Sequence, residues 1–556
     1  MVVDLYYFDQ NSNSLEPFNT ARPRVIFTPP SGTVTFYIQV RDTSGNGLAG
    51  ATVTAVGIDN TYQATTSTLG WADLTVLEGS YDITAAKSGF VAQTMLGVVR
   101  DVNNSNNLTF DLTADSEPVA PGQPSVLTQP SQPYGSSWLP NDITYPTVSY
   151  VNSVAKIPGL SIWGIYLWIN EYKGLRSQIN NVGWKTVRVG GPNFDDTLMT
   201  MLVNDDITVI RNIHDSPRRE NYGSNQAYID AVKQRASGFL NRYGPGGSFW
   251  SDNPSLPYRP VTTMKILNEP NFHYMWTNGT YEQRAQLYSQ LLPQVHDHIH
   301  QWPGMTTVGY NAGDASRAGN AWFRDVSAAL ASAGNINKFD AAAHQPYTSS
   351  VAPDLKFNQF SGWSHGRNVN DYRQHIQNNG RSVQQVPWLW TEGGWILDPS
   401  AGGSFARAGM TDIILWASHY VRMYLIGMRM GLTSVTPMFI TDSDNYNGGF
   451  FPSIGNPTWR PNAIAVQSMI NLMPNPVLHS AIRDGPDDFL HRYHRDGAGS
   501  PLVACVWRAT GAGTMSVPVE SSSVIVTDML GNKGSVTASG STVSLNVGPL
   551  PIFVES

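Results

Sequence analysis

"MKILNEPNF", residues 264–272, carries an apolar run straight into Asn268, Glu269 and Pro270. Ionised groups are rarely left beside a core without a partner or a task. The run therefore reads as a strand whose far end faces something polar. "TTMKILNE" has counterparts along the chain: "LSIWGIYLWI", "KTVRVGG", "ITVIRNIHD", "MTTVGYNAG", "FDAAAHQPY", "VPWLWTEGG" and "LTSVTPMFI". Helical stretches such as "YIDAVKQRASGFLNRYG", "YEQRAQLYSQLLPQVHDHIHQ" and "MTDIILWASHYVRMYLIGMRMG" lie between them. Eight strands alternating with helices predict an α/β protein built on a (β/α)8 barrel. A doubly wound open sheet is the rival, but nothing resembles the Gly-rich phosphate turn such sheets often carry.

Outside this region the pattern changes. Residues 33–113 show period-2 strands broken by Gly, Asn and Asp, which predicts a β-sandwich. Residues 114–140, "ADSEPVAPGQPSVLTQPSQPYGSSWLP", have a linker composition and are expected to be semi-extended. Strands return after 476 in "DDFLHRYHR", "PLVACVWRA" and "SSVIVTDMLGN". The expected organisation is an accessory β-sandwich over 1–113, a linker over 114–140, the barrel over 141–475 and a small antiparallel β-domain over 476–556.

Bulk properties narrow the partners. The chain has 556 residues, 41% of them hydrophobic and 14% charged, with a net charge of −7. A small acidic balance without charge runs argues against nucleic acid or an anionic membrane as partner. No apolar stretch approaches the roughly 20 residues of a membrane span. The opening "MVVDLYYFDQ" lacks the basic start and apolar core of a signal peptide. Either the protein stays in the cytoplasm or the chain begins after a removed signal; a secreted or cell-surface location is the expectation. The single cysteine, Cys505 in "LVACVW", sits in an apolar run and is expected to be buried packing. Sixteen Trp and 24 Tyr supply flat rings that could fill a core or stack on sugars.

In a (β/α)8 barrel the polar groups at strand C-terminal ends face the active site. Here those ends supply Arg188 (second strand), His214 and Asp215 (third), Asn268 and Glu269 (fourth), His344 and Tyr347 (sixth) and Glu392 (seventh). Glu269 alone could be an ion-paired strand end. With Glu392 across the mouth it becomes half of a carboxylate pair, which glycosidic bond cleavage requires: one acid to protonate the leaving oxygen, one anion for the anomeric carbon.

These residues carry a resemblance. "ILNEPN" and "WLWTEGGW", with "NRYGPGGSFW" before them, look like a clan A glycoside hydrolase of the family 39-like or family 5-like kind. The N-terminal "VRDTSGNGLAGATVTA" and "GSYDITAAKSGF" resemble carboxypeptidase-regulatory, transthyretin-like modules. The barrel resemblance implies Glu269 as acid/base, Glu392 as nucleophile and Asn268 on the sugar 2-OH. Arg188 would hold Glu392 ionised, Tyr347 would set its angle, and His214 and His344 would bind hydroxyls or tune the glutamates. Clan members retain anomeric configuration through a covalent intermediate. "HQPY" has one residue more than the His-x-Tyr or His-Pro-Tyr of many relatives, which puts one of those two roles in doubt. The eighth strand offers Phe439 where relatives place a Trp platform; Trp395 is the expected substitute, and Trp276 is a candidate subsite.

No cofactor or metal is expected. "HDHIH" sets His296 and His300 one helical turn apart, but without a companion Glu or Cys. In "DSDNYNGG" Tyr446 breaks a calcium-loop spacing begun by Asp442 and Asp444. The expected function is a retaining β-glycosidase, endo-acting on a polysaccharide of glucan, xylan or mannan type. An exo-acting β-xylosidase or β-glucosidase is the alternative, and a non-catalytic carbohydrate-binding protein is the reading from another class.

Overall fold

The computed structural model describes strands Tyr6–Asp9 and Ser14–Pro17, most of 33–112, and most of 127–555. The main segments outside the description are 18–32, 101–106, 113–126, 131–137, 214–217, 314–316, 348–351, 358–363, 396–411 and 443–447; shorter gaps include 192–193, 273 and 439. The chain forms two compact units, Met1–Ala120 and Pro121–Ser556.

In the first unit, a three-stranded sheet (Trp71–Leu77, Thr33–Asp42, Leu108–Leu112) and a four-stranded sheet (Thr61–Thr65, Thr52–Val56, Gly79–Ala86, Gln93–Arg100) enclose one core. Alternation decides which side chains are inside: Phe36, Ile38 and Val40 point in from Thr33–Asp42, and their neighbours point out.

The second unit holds an eight-stranded parallel barrel: β1 (Gly164–Leu167), β2 (Thr186–Val189), β3 (Thr208–Ile213), β4 (Thr263–Ile266), β5 (Thr306–Gly313), β6 (Ala341–Gln345), β7 (Trp388–Trp390) and β8 (Ser434–Val435). Around it run α1 (Ile169–Val182), α2 (Asp196–Asn204), α3 (Asn225–Tyr243), α4 (Tyr281–Ile299), α5 (Arg317–Ser332), α6 (His365–Asn378), α7 (Ile413–Arg429) and α8 (Pro461–Leu472). Helix starts are set locally. Asp195, Ser224, Ser364 and Asp412 accept the first-turn amides of α2, α3, α6 and α7, and Thr280 with Gln283 forms a capping box on α4.

The barrel closes where β1 meets β8: Val435 N–H donates to Ile162 O (3.1 Å) and Tyr166 N–H to Pro437 O (2.9 Å). Gly164 allows that approach, since a Cβ there would sit 2.5 Å from Thr436 Cγ2 and 2.9 Å from Val435 O. Ile210, Val308, Ala341, Ala343 and Leu389 fill the lower interior, plugged by Ile157 and Leu160. Alternation then sends Trp388 and Trp390 outward into the helical layer.

Antiparallel strands follow the barrel. Six of them, from Val477–Asp484 to Ile552–Glu555, form one sheet, and Gly513–Pro518 pairs with Thr542–Val547. Phe489, Tyr493, Cys505 and Trp507 join the core of the barrel itself, and Cys505 is fully buried. The described parts of 127–140 also lie on this unit. Gln129 exchanges hydrogen bonds with Leu550, and Trp138–Pro140 pairs with Leu355–Phe357. Among the described residues no helix is long and apolar enough to cross a membrane.

Candidate active site

The inward positions of β1 to β4 become polar near the C-terminal ends of the strands. Register sets Tyr166 and Arg188 level with Ile210, and Asn212 and Lys265 one inward position above it. Arg188 is buried with its guanidinium 4.2 Å above the Tyr166 ring. Its Nη1 donates to Glu392 Oε1 and to Thr391 O (2.8 Å), and its Nη2 donates to Asn268 Oδ1 (2.7 Å). Burial works against the Arg188 charge, but the adjacent Glu392 holds the guanidinium above its ordinary pKa.

Gln345 makes the same bridge from β6. Its Nε2 donates to Asn268 Oδ1 (2.7 Å) and to Glu392 Oε1 (2.8 Å). Lys265 Nζ adds a third bond to Asn268 Oδ1 at 2.6 Å. With three donors on its oxygen, the Asn268 amide turns that oxygen toward the barrel and its NH2 the opposite way. Glu392 Oε1 thus takes two donors, while Oε2 accepts from the Tyr347 hydroxyl at 3.0 Å.

Glu269 stands beside this cluster on a strained backbone. Leu267 (φ 60°) and Glu269 (φ 45°) are left-handed, as are Tyr310 (67°) and Asn311 (51°) on the adjacent strand. Such conformations cost of order 1–3 kcal/mol each in non-glycine residues and gather at functional sites. They are held by Glu269 N–H donating to Asn311 O (3.1 Å) and by Asn311 Nδ2 donating to Ile266 O (2.8 Å). A Cβ on Gly313 would lie 2.4 Å from Glu269 Oε1, so glycine makes room for the carboxylate. The charges of Glu392 and Glu269 both reach the Tyr166 hydroxyl, which burial already pushes above its usual range.

The structure brings together Glu269, Glu392, Asn268, Arg188 and Tyr347, and sends two expected residues elsewhere. His344 does not face the mouth. It is fully buried on the helical side of β6, accepts from Trp388 Nε1 (3.0 Å) and stands edge-on to Tyr372. Burial lowers its pKa well below the ordinary histidine value. The inward slot belongs to Gln345, in step with Ala341 and Ala343. The extra residue of "HQPY" is absorbed by a tight turn at Pro346: Tyr347 N–H donates to Gln345 O (2.9 Å), and His365 Nε2 meets Pro346 O.

Trp395 is likewise no platform. It is 1% exposed, packed against His365, His419 and Tyr420, with its carbonyl accepting from Trp416 Nε1 (2.9 Å). Trp168, after β1, is 42% exposed. Trp276 is half-buried with Arg219 over its ring at 5.2 Å. His214, Asp215, Phe439 and Asp444 lie outside the described residues. Asp442 is engaged by Arg460 (2.5 and 2.7 Å) and by Gly449 N–H.

Gln345 was missed by sequence reasoning, because every residue of β6 is buried and no polar–apolar alternation marks the inner face. Its part is positioning, and its replacement tests that. Gln345→Ala is expected to lower kcat by about 10- to 100-fold, the scale of a misplaced catalytic group, with KM little changed and Gln345→Asn no better. Equal losses in kcat/KM and melting temperature would mean a packing role only. Steady-state kinetics with thermal melts decide it.

Comparison with known proteins agrees with this architecture. Residues 35–113 match the family model of the carboxypeptidase regulatory-like domain. No curated protein matches the chain. Among solved structures, a family 39 glycoside hydrolase from the gut symbiont Bacteroides cellulosilyticus WH2 superposes with a TM-score of 0.53 at 15% identity, over 94% of this chain and 100% of that one. A glucosidase from Croceicoccus marinus gives 0.50 at 12% identity, over 73% of this chain and 97% of that one. A family 51 α-L-arabinofuranosidase from Bifidobacterium longum gives 0.50 at 10%, over 74% and 97%. Over the superposed parts the chain shares its fold with these glycoside hydrolases.

Proposed function

We propose that this protein is a retaining glycoside hydrolase that cleaves β-linked polysaccharide from within the chain. The observation that carries the proposal is Glu392 held by Arg188, Gln345 and Tyr347, beside an Asn268–Glu269 pair on strained backbone. Glu392 Oε2, which accepts from Tyr347, attacks the anomeric carbon as Glu269 gives its proton to the departing oxygen, leaving a glycosyl ester on Glu392. Glu269 then takes a proton from water, whose oxygen displaces Glu392 with net retention. The Asn268 NH2 is turned toward the 2-OH, where its hydrogen bond strengthens as positive charge grows at the anomeric carbon. Arg188 and Lys265 act on the anionic side of the site, through Glu392 and through the Asn268 oxygen.

The substrate is an oligo- or polysaccharide of glucan, xylan or mannan type, taken without cofactor. The test is hydrolysis of a panel of β-linked polysaccharides and aryl β-glycosides with product lengths resolved and anomers followed by NMR. A ladder of oligomers formed first as the β-anomer is expected. Release of monosaccharide alone would replace endo by exo action; inversion of configuration would overturn the double displacement.

A further inference from the structure

His296 and His300, at the end of α4, meet Asp340, which leads into β6, at the N-terminal end of the barrel opposite the proposed active site. One donor atom from each of the three side chains lies within 4.8 Å of the other two. We propose that His296 Nε2, His300 Nε2 and the Asp340 carboxylate form a binding site for a divalent transition-metal ion of the zinc class, with water completing a tetrahedron.

The geometry fits the ion. The His300 Nε2 to Asp340 Oδ2 distance is 2.8 Å and the His296 Nε2 to Asp340 Oδ1 distance is 3.7 Å. These bracket the roughly 3.3 Å between neighbouring donors of a tetrahedral zinc with bonds of about 2.0–2.1 Å. The two imidazoles stack at 4.1 Å and 28° on successive helical turns, and both turn Nε2 toward the Asp340 carboxylate.

Supporting contacts orient the donors. Asp297 can only accept, so His296 Nδ1 carries the hydrogen in their 2.9 Å contact, and Nε2 is the nitrogen that would give up its proton to bind the ion. Lys338 Nζ grips Asp297 at 2.8 and 3.0 Å. Thr307 N–H donates to Asp340 Oδ2 at 2.6 Å and fixes that carboxylate. Two imidazoles and one carboxylate suit zinc, cobalt or nickel, whereas calcium and magnesium take oxygen donors. Facing away from the mouth, the ion would clamp the last turn of α4 to the entry of β6, a stabilising place in this fold.

The test uses the full, untagged chain, stripped with chelator and freed of it. Zinc is titrated by calorimetry, cobalt by its visible absorption, and thermal melts are run with and without zinc. The expected result is one tight zinc per chain, intense tetrahedral-type cobalt bands, and a melting temperature that rises with zinc. In His300→Ala, and in Asp340→Asn, which keeps an acceptor for Thr307, affinity should fall at least 10-fold and the zinc-dependent shift should disappear. Polysaccharide hydrolysis should be unchanged by either substitution. Absence of one-to-one binding, or binding retained in both variants, overturns the proposal.

Discussion

Glu392→Ala is expected to lower turnover of β-linked substrates by at least about 10⁴-fold while sugar binding persists. Loss of a nucleophile removes the covalent route, and residues that act as a unit lose most of their effect together. The alanine variant also leaves the buried Arg188 without the carboxylate it faces, so part of the loss could come from rearrangement. Glu392→Gln separates the two effects, since its carbonyl oxygen can still accept from Arg188 and Gln345. A folded glutamine variant with equally low turnover assigns the loss to chemistry. Azide, small and anionic, should restore turnover of an aryl glycoside in the alanine variant by filling the vacated space. Glu269→Ala should behave differently: general acid–base loss costs about 10²–10⁴-fold, and less for an aryl leaving group that needs no proton. Unchanged turnover in Glu392→Ala would sink the mechanism.

The second large effect concerns stability. Asp354 and Arg422 are fully buried and ion-paired, with Arg422 Nε donating to Asp354 Oδ2 at 2.9 Å. Trp507 Nε1 donates to the same oxygen at 2.6 Å, and Arg422 Nη2 donates to Ala509 O at 3.2 Å. One carboxylate thus ties α7 of the barrel to the C-terminal sheet. Removing one partner of a buried pair exposes the other to the full desolvation cost, about 3–5 kcal/mol. Asp354→Ala should therefore lower the melting temperature by roughly 3–6 °C, given about 1 °C per kcal/mol for a unit of this size. Exchanging both for apolar groups, Asp354→Leu with Arg422→Met, should recover most of that loss, because no charge is left buried. A double variant as unstable as the sum of the singles would contradict this account. Denaturant titrations of the wild type, Asp354→Leu, Arg422→Met and the double variant give the cycle.

Much of the arrangement was legible before any coordinates. The eight-fold alternation of strands and helices announces the barrel, and residues 269 and 392 stand where strands four and seven end. Arg188 follows from the same logic, being the last charged group of an otherwise apolar strand. Strand limits were less legible: "LTSVTPMFI" suggests a full eighth strand, yet regular strand geometry is confined to Ser434–Val435. The N–H groups of Thr433, Thr436 and Met438 extend the contact to the Trp388, Trp390 and Gly393 carbonyls. Lys265, inside "TMKIL", was not read as a site residue; its contact with the Asn268 oxygen came only with the structure.

The sequence by itself determined the polar strand ends and their order, because apolar runs must be buried and carboxylates must end at water or at a task. The tertiary structure alone decided which of His344 and Gln345 faces Glu392. Every residue of β6 is buried, so no polar–apolar alternation marks its inner face, and the choice rests on register with β5 and β7 and on the turn that His365 pins at Pro346. Burial of Trp395 against α6 and α7, and the meeting of Asp340 with His296 and His300 across 40 residues of chain, were decided in the same way. Contacts between distant segments follow from how the helices pack around the closed barrel, and no local pattern contains them.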